Sequence, residues 1–208
     1  MLKIWGRTSS VNVQKVLWCC EELGLAYERV DAGGPFGGTR SPEYLAMNSN
    51  GLVPTIVDED LPLWESNTIV RYLCARHGGG TLWPEDPALR ALSDKWMDYQ
   101  LGTLWTAFRT GYLGLTRTPP ERRDPDAIEA SLKSTVEVLS ILDGHLAQTD
   151  YVAGEGLTMG DVALGPTVYR WLNIDIERPD LPNLRAWHAL LVDRPAYQKS
   201  VMVPFTLT

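Results

Sequence analysis

Apolar and polar positions change their period along this chain, and each change marks an element. Leu2–Trp5 is a short apolar run that suits a strand, and residues 6–10 form the turn that leaves it. Val13, Val16, Leu17, Cys20 and Leu23 then fall at three- and four-residue steps, one face of a helix that Gly24 stops. Residues 27–31 suit a second strand, the glycine-rich segment 33–38 a loop, and residues 41–47 a short helix. Residues 53–57 and Leu61–Trp64 make a hairpin around Asp58, Glu59 and Asp60, and Ser66–His77 is a further helix. Beyond Gly78-Gly79-Gly80 and the prolines at 84 and 87, strand signals stop. Residues 88–116, 126–148, 159–174, 184–192 and 196–203 have helical periodicity. Thr158 and Asp161, with Leu157 set to pack on Val162, spell a capping box at the start of one of these helices.

The predicted order βαβαββα is the arrangement of a thioredoxin-like domain with a mixed four-stranded sheet. It spans 1–79, with a linker at 80–87 and an all-α domain at 88–208. At 208 residues and 44% hydrophobic content the chain is long enough to bury a real core. It has no apolar run of membrane-spanning length, and its first residues lack the hydrophobic stretch of a signal peptide, so a cytoplasmic location is expected. A net charge of -7 argues against a nucleic-acid partner, and Arg122-Arg123, between prolines, suits a solvated loop. Cys19, Cys20 and Cys74 are an odd set without Cys-x-x-Cys spacing, expected to be reduced and structural. His77, His145 and His188 stand far apart, so no metal site is expected.

The chemistry concentrates in two segments. In Asn50-Gly51-Leu52-Val53-Pro54-Thr55, a proline at a strand start leaves the Val53 backbone free to grip an extended peptide. In Trp64-Glu65-Ser66-Asn67-Thr68-Ile69, Glu65 offers a carboxylate to an ammonium, while Ser66 and the helix amides suit a carboxylate. Alone, the first segment is more often an ordinary strand start and the second more often just a helix cap; together, at this spacing, they suit a small peptide with a free amino-acid head. This pair of motifs resembles the glutathione-binding half of the soluble glutathione S-transferase superfamily, and the capping box at 157–162 resembles the one in its helical domain. The resemblance runs from Leu2 to about Phe205.

The resemblance implies glutathione as co-substrate, with no tightly bound cofactor, and a transferase that activates its thiol. Residues 7–16 place hydroxyls, an amide and a helix N-terminus together, which suits an anion. Ser10 stands where serine-type members keep the activating hydroxyl. Asn12 resembles the asparagine of the bacterial theta/Nu-like pattern, which also carries a lysine where this chain has Lys15. Ser9 is the alternative if the loop is shifted by one residue, and plain helix capping the structural one. No tyrosine or cysteine occupies the first loop, which disfavours phenol activation and a protein-thiol mixed disulfide. Arg40, Arg7 and the amides of Gly37-Gly38 are candidates for the glycine carboxylate of glutathione. The resemblance places a small hydrophobic electrophile against the first long helix of the second domain, where Trp105, Arg109 and Tyr112 share a face. It further implies a homodimer. Reduction of a disulfide substrate and a non-catalytic glutathione-binding carrier or scaffold are the alternatives.

Overall fold

The computed structural model describes residues 1–205; the last three residues of the predicted helical domain, 206–208, lie outside them. Strands β1 (Leu2–Trp5), β2 (Tyr27–Val30), β3 (Thr55–Asp58) and β4 (Leu61–Trp64) form one sheet in the order β2-β1-β3-β4. β1 runs parallel to β2 and antiparallel to β3, and β3 is antiparallel to β4. The sheet is mixed, as predicted. Its core face follows the period of two: Leu2 and Ile4 are buried while Lys3 and Trp5 are partly exposed.

Helices α1 (Val11–Glu22) and α3 (Ser66–His77) pack against each other, joining Val13, Val16, Leu17 and Cys20 to Ile69, Val70, Leu73 and Cys74 in the core. The short α2 (Pro42–Met47) is capped by Ser41, whose Oγ accepts from Tyr44 N at 3.2 Å. β3 begins two residues later than the predicted 53. Pro54 has no N–H for the ladder, and the Leu52 carbonyl is taken by Tyr44 Oη (2.6 Å) and Asn48 Nδ2 (2.8 Å). The Val53–Pro54 peptide bond is cis.

The rest is helical: α4 (Pro87–Tyr99), α5 (Trp105–Thr116), α6 (Pro125–Leu146), α7 (Met159–Asn173), α8 (Pro182–Val192) and α9 (Pro195–Ser200). The continuous helix predicted for 88–116 is interrupted by a π-helical turn at Gln100–Leu104. That turn brings Gln100 fully into the interior, where its amide is bonded at both ends, to Lys15 and Thr167. α7 is buried over nearly its whole length and packs on α1, α3 and α4. Its N-terminus carries the predicted box in extended form. Asp161 accepts from Thr158 N (2.9 Å), Thr158 Oγ1 (3.1 Å), Val152 N (3.0 Å) and Trp187 Nε1 (2.9 Å). α1 is further tied to the helical layer by Trp18 edge-on to Tyr197 and by Glu22 holding Arg194 through two 2.7 Å bonds. Among the described residues, no helix is long and apolar enough to cross a membrane.

Candidate functional site

One line of the sheet register decides what converges. Val30 pairs with Trp5, Trp5 with Thr55 and Thr55 with Trp64. The chain immediately beyond that line is therefore the loop after β2, the 6–10 loop, Val53-Pro54 and Glu65-Ser66. All of them lie along a single edge of the sheet. Residues 50–55 and 64–69, separated by a hairpin in sequence, meet the start of α1 there.

Along this edge Val53 is left without a backbone hydrogen bond among the described residues, while its neighbours are fastened: Thr55 Oγ1 is bonded to Tyr44 Oη and Asn48 Nδ2, both at 2.8 Å. An extended peptide has an open partner there. Arg40 flanks it. Its Nη1 lies 2.6 Å from where a Cβ on Gly51 would sit, an approach the end of an arginine can relax, and it is the φ of +63° that favours glycine there. At the other end Glu65 precedes α3 with φ +71° and ψ 109°, a backbone conformation that costs a non-glycine residue about 1–3 kcal/mol. Its carboxylate is exposed and forms no cap bond, and Ser66 opens the helix. A carboxylate beside unpaired helix amides can hold an ammonium and a carboxylate that share one carbon.

Ser10 occupies the N-cap position of α1, yet its hydroxyl makes no capping bond. Capping does not explain it. Asn12 follows within the first turn, half-buried, and Ser9 presents its carbonyl inward to Arg170 Nη2 at 3.2 Å. The loop is fixed from behind: Gln14 Nε2 donates to the Thr8 carbonyl at 2.8 Å, and Arg170 Nη1 donates to Gln14 Oε1 at 2.6 Å. Burial lowers the Arg170 guanidinium, which has Tyr112 Oη as a further partner at 3.2 Å.

A second buried cation lies beneath the other end. Lys15 is fully buried, and its Nζ donates to Gln100 Oε1 (2.6 Å), Asn67 Oδ1 (3.1 Å) and, more distantly, Ser66 Oγ (3.5 Å). Burial lowers this ammonium to about 7 against the opposing pull of Glu65. Because Ser66 Oγ accepts from within, its own proton is free to point into the groove.

The cysteines are far from this role. All are buried and free; Cys19 Sγ lies 3.6 Å from Cys74 Sγ, and burial pushes Cys20 up to about 12. On α5, Tyr112 is buried, Trp105 is half-buried with its ring 6.0 Å from that of Tyr112, and Arg109 is exposed. Phe205 adds a ring 6.2 Å from Tyr112. Among the described residues no metal-binding cluster of His, Cys, Asp and Glu occurs.

Two family models match this chain: Glutathione S-transferase, N-terminal domain, over residues 5–81, and Glutathione S-transferase, C-terminal domain, over 125–190. Glutathione S-transferase GstB of Escherichia coli K12 is 46% identical over 206 residues, covering 98% of this chain and 99% of its own. The chain belongs to the glutathione S-transferase family. A theta class glutathione S-transferase from Xanthomonas axonopodis pv. citri, solved with glutathione bound, superposes with a TM-score of 0.96 at 49% identity and 99% coverage of both chains. Glutathione S-transferase 3 of Zea mays is 30% identical, covering 96% of this chain and 93% of its own. The sequence reading of this transferase named the residues at the sheet edge but missed Gln14 and Arg170 and gave Lys15 no structural role. A signal existed: Gln14 and Lys15 interrupt the apolar face of α1, and Arg170 stands among the apolar residues of α7.

Proposed function

We propose that the protein lays glutathione along the Val53 edge, with its γ-glutamyl head at Glu65 and Ser66, and activates its thiol at Ser10 and Asn12. Arg40 stands at the rim where the glycine carboxylate of the tripeptide would come. The thiolate then attacks a small electrophile held against Trp105, Tyr112 and Arg109. The sulfur forms the new bond to carbon, the leaving group departs with its electron pair, and the thiol proton passes to solvent.

The observation that carries this reading is the uncapped Ser10 hydroxyl at the N-terminus of α1, on the same sheet edge as Val53 and Ser66. Two forces favour an anionic sulfur there, a hydroxyl donor and the positive end of a 12-residue helix. Large apolar side chains exposed on β4 and in the π turn, among them Leu61, Trp64 and Leu101, support a homodimer, to be checked as twice the chain mass by sedimentation. A cytoplasmic location is checked by cell fractionation.

Calorimetry with glutathione, followed by turnover of chlorodinitrobenzene and of a small disulfide, tests the assignment. Binding with conjugation supports it. Binding with disulfide reduction alone moves the same sulfur to another acceptor, and binding without either makes the protein a carrier. No binding rejects the reading.

A further inference from the structure

We propose that the electrophile this site is built for carries a carboxylate or comparable anion, held by Arg7 and Arg117; the proposal rests on the glutathione reading above. Arg7 leaves the end of β1 and folds over the loop after β2: its Nε lies 3.1 Å from where a Cβ on Gly34 would be, and its Nη1 and Val53 crowd the same position on Gly33. It therefore stands where the peptide edge meets the helical domain. Arg117 follows the last turn of α5 and reaches the same region, its Nη2 donating to the Phe205 carbonyl at 3.0 Å. Arg7 Nε and Arg117 Nη1 are both buried without a partner among the described residues.

Among the described residues no carboxylate forms an ion pair with either. Burial, and then the neighbouring Arg117 charge, lower Arg7. Arg170, beside them, differs in that its donors are spent on Tyr112, Gln14, Pro166 and Ser9, so its role is to hold the loop. Both side chains are only half-buried, and an anion laid against their accessible nitrogens gains charge-assisted bonds that a neutral apolar substrate cannot offer. Trp105, Tyr112 and Phe205 supply a ring wall for the body of such a molecule.

The test compares chloronitrobenzoate with the size-matched chloronitrobenzamide. In both, sulfur bonds to the ring carbon that loses chloride. The wild type is expected to prefer the benzoate in kcat/KM by about tenfold or more, the worth of one charged hydrogen bond. Arg117→Gln is expected to collapse that ratio towards one, and Arg117→Lys to restore part of it. Glutathione affinity, measured by calorimetry on the same proteins, is expected to be unchanged. Equal rates for the two probes in the wild type, or equal losses on both in Arg117→Gln with glutathione still bound, would overturn the proposal. Failure of the wild type to bind glutathione would instead reject the reading beneath it.

Discussion

Lys15 shows how much one side chain decides. A fully buried ammonium has to be matched, and this one is matched by neutral acceptors on α3 and the π turn, with Glu65 the carboxylate acting on it and Arg170 opposing. Its proton is held only below about 7 in the folded protein, whereas the unfolded chain holds it to about 10.4. Between these limits the unfolded state binds more protons, so stability rises as pH increases. Urea denaturation from pH 7 to about 8.5, a window in which the unfolded thiols of Cys19, Cys20 and Cys74 begin to titrate in both proteins alike, is expected to show a steeper rise in the wild type than in Lys15→Met. Parallel profiles for the two proteins would remove Lys15 as the cause.

At the scale of elements, the loop of residues 6–10 has no helix or strand of its own and borrows its rigidity from α1 and α7. Arg170 fastens it by donating both to Gln14 and to the Ser9 carbonyl. Arg170→Met keeps bulk and apolar contact but leaves these acceptors unpaired, at a cost of about 1–3 kcal/mol for each buried group. Both the melting temperature and kcat are expected to fall, the latter by more than the former explains. Unchanged kcat with a lowered melting temperature would confine Arg170 to stability. The strands, α1, α3 and the capping box were legible in the sequence because each rests on local period or local hydrogen bonding. The π turn was not, for its cause is the pairing of Gln100 with Lys15, 85 positions away. Nor was the Gln14–Arg170 bond, which spans 156 positions and looks from either side like a polar residue misplaced on an apolar face.

For the whole molecule, the sheet delivers its chain ends to one edge, and the helical layer stiffens that edge from beneath and walls it from above. The two layers are joined near the site by Arg170 and Lys15, and away from it by the ion pairs of Arg71 with Asp94 and Asp98 and of Arg194 with Glu22. The sequence exposed the two halves of the proposed site and the helix start but not how they are brought together. Val53, Glu65, Ser66 and Ser10 had motifs to announce them; the cations behind and beside them had none. Shifting a thiol by about 2 pH units takes roughly 2.7 kcal/mol of preferential thiolate stabilisation, a demand one or two donors at a helix start can meet. The most direct measurement is therefore the ultraviolet absorbance of the thiolate of bound glutathione, titrated with pH in the wild type and in Ser10→Ala. The account predicts an ionised sulfur at neutral pH in the wild type, with its titration displaced towards that of free glutathione in Ser10→Ala at wild-type stability, since the Ser10 hydroxyl caps nothing. Identical titrations in the two proteins, with glutathione bound in both, would contradict it.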